Sequence, residues 1–320
     1  MFEPVDVIDY EKNKTEMVYN IDASVGRYRS ESPFERGPKA SKTKSKEKAE
    51  SEYESESEGM TNHAEASCWL TSVIQSIRAS DAFRKEFAPK SGEKNAIKKE
   101  LFKLFDISEG KNGEKRRSVR SSEIKSFKRK VIDKGLPAKM EDGYHQGKFL
   151  KFLLKELGSK GIEYQEGSKN RKDKTLNITF SESTKKKSLQ DIIKDSKIAF
   201  ASENKVPKFL PVFVDRPRSS KFKNSKNQTG YSTAEIAPTS PLSIPVLTNG
   251  KKAQYRLVAV VICTPYWHAY TYVIEKGGWV LYDDDRVSVL KSPDKKYKDL
   301  DFSPYGDASK HSAIYIYEAA

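Results

Sequence analysis

One of the two cysteines in the chain, Cys68, stands directly before a run of residues with helical periodicity. Leu70, Ile74 and Ile77 follow it at i, i+4 and i+7 spacing, which predicts a helix that begins at or near Cys68. The first turn of a helix carries unpaired N–H groups and a partial positive charge, and both favour a thiolate. Because a thiolate attacks carbonyl carbons much better than a thiol, Cys68 is the candidate nucleophile.

A nucleophilic cysteine needs a base, and the chain has four histidines that could serve. His268 is the best candidate because it begins a strand-like segment from which the chain turns back towards Asp283. Of the other three, His63 lies in a loop, His145 begins an amphipathic segment, and His311 lies in a polar stretch. The second cysteine, Cys263, lies in an apolar strand-like run and is expected to belong to the core.

Two hairpin registers decide whether His268 can use Asp283. If the loop spans residues 274–277, His268 faces Asp283 across the ribbon, and the carboxylate can bind the imidazole and orient it. If residues 277–278 form a tight two-residue turn instead, His268 faces Val287. We favour the first register because it aligns two residue types that act together in catalysis.

Composition limits the classes of protein that the chain can represent. With 59 Lys+Arg against 45 Asp+Glu, its 320 residues carry a formal net charge of +14. Two cysteines cannot form a disulfide framework, which fits a reducing compartment, and no Cys or His pairs have zinc-ligand spacing. We therefore expect neither a metal nor another cofactor.

Two further exclusions concern targeting. The N-terminus lacks the basic start and apolar run of a secretory signal, and no apolar run reaches the roughly 20 residues that a membrane helix needs. The chain is therefore expected to be a soluble monomer of the cytoplasm or nucleus. The sequence does not distinguish such a protein from a pathogen effector that is injected into the cytosol of a host cell.

Apolar residues nearly vanish between Ser24 and Glu58, where mixed charges, Ser, Gly and Pro dominate. Such a segment cannot bury enough surface to offset the entropy lost on ordering. Residues 1–58 are therefore predicted to be largely disordered, and residues 59–320 to form the folded domain.

Residues 83–134 are very basic and have apolar positions that indicate helices. The run KSFKRKVIDKG within them could touch nucleic acid, but no pattern of stacking aromatics accompanies it. A solvated basic face is the preferred interpretation, and nucleic acid is not expected as a partner.

The rest of the chain has helical periodicity first and strand-like alternation afterwards. Residues 145–158 predict a strongly amphipathic helix that ends at Gly158, and SLQDIIKDS predicts a short helix capped by Ser188. The clearest strands are LNITF, FLPVFV, YRLVAVVIC, HAYTYVIE, WVLYDDD and AIYIY, whereas residues 216–245 predict a long loop. Helices followed by antiparallel strands indicate the α+β class.

These residues resemble the ubiquitin-specific proteases, which are papain-like cysteine proteases. The family's cysteine box is similar to Gly59-Met60-Thr61-Asn62 followed by Cys68-Trp69-Leu70-Thr71-Ser72-Val73-Ile74-Gln75. Its second helix resembles FLKFLLKEL, residues 149–157. The histidine box matches Tyr255, Leu257, Val260, His268, Tyr272, Val273, Trp279, Tyr282, Asp283, Asp284 and Val287. The resemblance covers residues 59–318.

The resemblance implies a helical N-terminal subdomain packed on an antiparallel sheet subdomain. It implies that Cys68 is the nucleophile, His268 the base and Asp283 the residue that orients His268. Asn62 would help to hold the oxyanion, and Asp284 would support the oxyanion hole or the imidazole. The reaction would be hydrolysis of the isopeptide bond after the Gly-Gly tail of ubiquitin or of a relative such as SUMO or NEDD8, through a thioester.

The chain departs from the family pattern at several positions. One extra residue separates Asn62 from Cys68, and Trp267 replaces the glycine before the histidine. Two acidic positions that can meet the arginines of the ubiquitin tail are His145 and Lys148 here. A cation there would repel those arginines, so the substrate tail is less basic, or other acids hold it, or the helix alignment is displaced by a turn.

Two other functions are compatible with the sequence. Transglutaminase-like enzymes also use Cys, His and Asp, but their nucleophile usually lies much nearer to the histidine. Alternatively, the domain binds ubiquitin without cleaving it, if Trp267 or the loop after Asn62 blocks the cleft.

Overall fold

The computed structural model describes residues 58–61, 66–141, 143–181, 184–216, 218–223, 229–231, 234–264, 268–275, 278–290 and 308–320. The segment predicted to be disordered lies outside the described residues except for Glu58. Asn62 and Trp267 also lie outside them. Among the described helices, none combines the length and the apolarity that crossing a membrane requires.

Five helices come first in the described chain. They are α1 (Cys68–Arg78), α2 (Asp81–Phe87), α3 (Ala96–Glu109), α4 (Ser121–Asp133) and α5 (Gln146–Glu156). Local signals set their ends: the side chains of Ser80 and Asn95 accept hydrogen bonds from the first turns of α2 and α3, and Gly110 ends α3 in the left-handed conformation. The helices predicted at Cys68, between residues 83 and 134, and over residues 145–158 are confirmed.

An eight-stranded sheet forms the second half of the molecule. Its strands are β3 (Leu176–Thr179), β6 (Phe209–Asp215), β10 (Leu242–Pro245), β11 (Lys252–Cys263), β12 (Ala269–Glu275), β13 (Gly278–Asp283), β14 (Arg286–Leu290) and β15 (Ser312–Ala319). The strand order is β14-β13-β12-β11-β15-β6-β3, and β10 also pairs with β11. These pairs are antiparallel apart from β3 with β6.

The remaining elements are smaller. A three-stranded sheet has the order β2-β1-β5, built from β1 (Ile162–Glu166), β2 (Lys169–Asp173) and β5 (Ile198–Phe200). Two further pairs join β4 (Lys186–Ser188) to β9 (Glu235–Ala237) and β7 (Arg218–Lys223) to β8 (Thr229–Tyr231). The last helices are α6 (Leu189–Asp195), where Ser188 is the predicted N-cap, and the short α7 (Ala308–His311).

The large sheet separates two hydrophobic cores. One lies under the helices and includes Val261 and Ile314, whereas the other includes their neighbours Val260 and Tyr315 and packs against α6, β5 and β10. Successive residues of a strand point to opposite faces, so β11 and β15 are apolar along most of their length. The predicted α+β class, with helices packed on a largely antiparallel sheet, is confirmed.

The long loop predicted for residues 216–245 is wrong, because this range contains β7, β8, β9 and β10. In β10, Leu242 and Ile244 alternate with Ser243 and Pro245, are fully buried, and pair with Tyr255 and Ala253 of β11. Their alternation was a usable strand signal that the surrounding Ser, Pro and Thr obscured. The prediction also omitted β14, whose RVSVL pattern alternates in the same way.

Candidate active site

Cys68 is the first residue of α1 and is 8% exposed. The carbonyl of Ser67 accepts hydrogen bonds from the backbone N–H groups of Leu70 at 2.8 Å and Thr71 at 3.0 Å, which form the first turn. Before that turn, Ala66 has a φ of 42°, in the left-handed region, so the chain enters the helix through a sharp change of direction. The cysteine therefore lies at the positive end of a helix, as predicted.

His268 directly precedes β12, and backbone contacts fix its position. Its N–H donates to Thr264 Oγ1 at 3.2 Å, and its carbonyl accepts from the Thr264 N–H at 2.8 Å. Its Nε2 lies 2.5 Å from Asp283 Oδ1. Cys68 is also hydrogen-bonded to the His268 side chain. The structure thus brings four of the five predicted site residues together, namely Cys68, His268, Asp283 and Asp284.

Both predicted registers of the β12–β13 hairpin are wrong, although His268 and Asp283 still contact each other. Val273 pairs with Val280 and Thr271 with Tyr282, so the ribbon is displaced by two residues from the favoured register. A shift of two positions keeps every side chain on its own face of a strand. Asp283 therefore reaches His268 along the diagonal, and the carboxylate and the imidazole still touch.

The surroundings of His268 favour its protonated form. Burial alone would lower the pKa of the imidazole, but hydrogen bonds to Asp283 and Cys68, and the charges of both, raise it from 6.5 to about 11. The ring therefore carries a proton near neutral pH. Burial raises the pKa of the Cys263 thiol to about 11, so this second cysteine stays uncharged near neutral pH.

Asp284 lies between the N-terminal segment and α1. Its backbone has a φ of 56°, its carboxylate accepts from Thr71 Oγ1 at 3.2 Å, and its carbonyl accepts from the Met60 N–H at 2.7 Å. A Cβ on Gly59 would meet the Asp284 carbonyl oxygen at 2.6 Å, which explains why glycine stands there. The cysteine box and the acidic turn are thus in direct contact.

The segment that leads to Asn62 is fixed even though Asn62 itself lies outside the described residues. Thr61 N–H donates to the Val119 carbonyl at 2.8 Å, and Val119 N–H donates to the Gly59 carbonyl at 3.0 Å. The oxyanion role of Asn62 stays a prediction.

The start of α5 holds His145 and Lys148, the two residues that replace acidic positions of the family pattern. His145 caps α5, with Nδ1 accepting from the Gly147 N–H at 3.1 Å. Burial, followed by the nearby charge of Lys148, lowers the pKa of His145 to about 4, so the ring is neutral. Lys148 is exposed and is the cation that remains at this position.

Ligand atoms of His268, Asp283 and Asp284 lie within 4.8 Å of one another, so this trio could approach a metal ion. The contacts that the three residues already make, with Cys68 and Thr71 among their partners, account for the cluster as a hydrogen-bonded site.

Thr71 was not identified from the sequence as a residue of the site. Its position one turn after Cys68 was the available signal.

Comparison with known proteins decides the family. The family model described as ubiquitin carboxyl-terminal hydrolase matches residues 58–317. The chain belongs to this family. No curated protein matches it. The match confirms the resemblance to ubiquitin-specific proteases and the papain-like fold class.

Membership in the ubiquitin carboxyl-terminal hydrolase family implies a deubiquitinating cysteine protease, and it gives the transglutaminase-like alternative no support. The roles of Cys68, His268 and Asp283 within that activity stay predictions.

Proposed function

We propose that this chain hydrolyses the isopeptide bond after the C-terminal Gly-Gly of ubiquitin or a ubiquitin-like protein. The observation that carries the proposal is the contact of His268 with both Cys68 and Asp283, at the start of a helix in a chain of this family. Nucleophile, proton carrier and orienting acid are the parts that acyl transfer by a thiol needs.

In the first half of the reaction, the sulfur of Cys68 attacks the carbonyl carbon of the terminal glycine. A backbone N–H at the start of α1 and the side chain of Asn62 would stabilise the resulting oxyanion. Protonated His268 donates its proton to the lysine amine, the C–N bond breaks, and a thioester remains on Cys68. Asp283 keeps the imidazole oriented and balances its positive charge.

In the second half, neutral His268 takes a proton from water, and the hydroxide attacks the thioester carbonyl. The C–S bond breaks, the free carboxylate of the Gly-Gly tail leaves, and the thiolate returns beside the imidazolium. The raised pKa of His268 supports this cycle, since the imidazolium that donates a proton to the amine is already formed near neutral pH.

A ubiquitin probe with an electrophilic C-terminus tests the proposal. Wild type should form a covalent adduct on the peptide that contains Cys68, and Cys68→Ala should form none and cleave no conjugate. The melting temperature of Cys68→Ala should stay nearly unchanged, since the thiol is small and stands at a helix start. Cys263→Ala is the matched control and should still be labelled.

Other outcomes separate the alternatives. Binding of the probe without labelling would indicate a non-catalytic ubiquitin-binding module, and incorporation of amines into glutamine peptides would indicate a transglutaminase. Parallel probes carrying the tails of ubiquitin, SUMO and NEDD8 identify the substrate. With Lys148 exposed at the start of α5, a less basic tail is expected to react faster.

A further inference from the structure

Arg78 ends α1 at the opposite end from Cys68, and its side chain is 3% exposed. Its Nη1 donates to Glu109 Oε1 at 3.1 Å, and its Nη2 donates to Glu275 Oε1 at 3.5 Å. The guanidinium carbon lies 5.1 Å from the centre of the Tyr282 ring. The hydroxyl of Tyr282 donates to the same oxygen of Glu275. Arg78 therefore touches both strands of the β12–β13 hairpin.

This buried cluster retains its charges. Burial alone would lower the pKa of Arg78, but Tyr282, Glu109 and Glu275 raise it above the ordinary value. A buried cation costs free energy unless it is paired and hydrogen-bonded, and Arg78 meets both conditions. Such a junction holds its partners in one geometry, because moving any of them exposes an unmatched charge.

The positions of the contacts give the cluster a second consequence. Cys68 meets His268 where α1 begins and β12 is about to begin, and Arg78 meets Glu275 where both elements end. An 11-residue helix is about 15 Å long. The helix and the strand are therefore joined at two points separated by about that length, which prevents the helix from sliding along the strand.

We propose that Arg78 is a positioning residue that sets the register between α1 and the hairpin of His268 and Asp283. The proposal rests on the catalytic roles proposed above. Sliding by one residue moves a helix by about 1.5 Å along its axis. Misplacement of the reacting atoms by about 1 Å can lower a rate by about 10²-fold.

Replacing Arg78 by lysine should be compatible with folding, because a cation stays beside Glu275 and because Glu109 has other cations. Arg84 Nη2 contacts Glu109 Oε1, and Lys111 Nζ lies 2.8 Å from Glu109 Oε2. Arg78→Lys keeps the charge but cannot contact Glu109, Glu275 and the Tyr282 ring together. Glu275→Gln keeps the shape of the side chain and removes the charge on the hairpin.

The test compares these two full-length variants with wild type. Both should lower kcat by about tenfold or more and leave KM within about twofold, since the loss is in alignment of the reacting groups. Without substrate, the rate of alkylation of Cys68 by iodoacetamide near pH 7 should fall by about fivefold, because the thiol no longer meets His268 correctly.

Glu123→Gln is the matched control. It breaks the two-bond pair of Arg117 and Glu123, at 2.6 and 2.9 Å, which contacts neither α1 nor the hairpin. This control should lower the melting temperature without changing kcat or the alkylation of Cys68. If either variant fails to fold, Tyr282→Phe removes the hydroxyl contact to Glu275 alone and should lower kcat by about threefold.

Unchanged kcat and unchanged alkylation in variants that melt at lower temperature would overturn the positioning role and leave a purely structural ion cluster. A wild-type chain that cleaves no conjugate, while alkylation still falls in the variants, would overturn the proposed function and keep the positioning role. The two failures are therefore distinguishable.

Discussion

The imidazole of His268 governs the electrostatics of the site. One ring nitrogen contacts Asp283, and the ring is also hydrogen-bonded to Cys68, so a single side chain joins β13 to the start of α1. Because its pKa is raised, His268 already carries, before the substrate arrives, the proton that the proposed reaction gives to the leaving amine. Near neutral pH His268 and Asp283 therefore form an ion pair.

The pH dependence of stability follows from this ion pair. Protonated His268 is favoured in the folded chain, so its contribution to the free energy of unfolding is complete below the unfolded pKa of about 6.5 and is lost as the pH rises towards about 11. Asp283→Asn removes the partner that is the first cause of the increase. The difference in melting temperature between wild type and Asp283→Asn should therefore shrink as the pH rises.

Melting curves recorded by circular dichroism between about pH 6 and pH 10 measure this difference. Deprotonation of lysines and tyrosines affects both proteins alike and cancels in the comparison. A difference that stays constant over the whole range would contradict a raised pKa of His268.

At the scale of elements, α1 is buried along its whole length rather than on one face. It packs against β11, β12, α2 and α5, so its polar residues find partners inside the molecule. Leu70, Ile74 and Ile77, the predicted core face, are fully buried. A helix in this position holds Cys68, the proposed nucleophile, on a rigid support.

Ile74→Ala should lower the free energy of unfolding by roughly 2–5 kcal/mol, because it removes apolar contacts and leaves a cavity in the core. Denaturant titration followed by circular dichroism measures the loss. Lys99→Ala, at an exposed position of α3, is the control and should change the free energy by no more than about 0.5 kcal/mol. A loss at Ile74 as small as that would show that α1 is not packed as described.

The contact between the cysteine box and the β13–β14 turn is a second feature at this scale. In Gly59→Ala the new Cβ would lie 2.6 Å from the Asp284 carbonyl oxygen and 2.6 Å from the Asp285 Cα. Because both atoms belong to the backbone, the turn must move, at a cost of about 1–3 kcal/mol. We expect lower kcat as well, since the turn follows Asp283.

Gly143→Ala is the matched control for this substitution. A Cβ at Gly143 meets nothing within 4 Å, so stability and kcat should stay close to those of wild type. Equal effects of the two substitutions, in thermal melts and in steady-state assays, would show that the contact of Gly59 with the turn does not matter.

At the scale of the whole molecule, the family match begins at residue 58. The Glu58 N–H donates to the Ser108 carbonyl at 3.0 Å, its carbonyl accepts from Ser108 Oγ at 2.6 Å, and its carboxylate pairs with Arg116 at 3.2 Å. We propose that the catalytic domain begins at this point. Its boundary then differs by one residue from the one predicted from composition.

A chain of residues 58–320 should keep the melting temperature and should keep kcat/KM within about twofold of the full-length value. Gel filtration, thermal melts and probe labelling measure this. A chain that starts at Asn62 lacks the contacts of Glu58, Gly59 and Thr61 and should be less stable. If the chain of residues 58–320 lost most of the activity, residues 1–57 would contribute to catalysis.

The basic character of residues 83–134 also belongs to this scale. Part of its charge forms ion pairs inside the domain, such as Lys130 with Glu100 at 2.8 Å and Arg117 with Glu123 at 2.6 Å. Lys99, Lys103 and Arg129 face solvent. These pairs support the interpretation of a solvated basic face.

The sequence by itself determined the features that depend on neighbouring residues. The period of apolar side chains marks the helix start at Cys68, local caps set the start at Ser188 and the stop at Gly158, and runs of apolar residues mark β11, β12 and β15. The β10 strand was missed because the surrounding Ser, Pro and Thr obscure the alternation of Leu242 and Ile244, which the core buries.

Only the tertiary structure decided how distant residues meet. The register of the β12–β13 hairpin depends on how the sheet packs. The chemical match between His268 and Asp283 was therefore not enough to predict it. Thr71 meets Asp284 across 213 positions, and Arg78 meets Glu275 across 197. No local pattern predicts such pairs, because each partner is an ordinary polar residue in the sequence. Only burial in the folded chain requires it to have a hydrogen-bonding or charged partner.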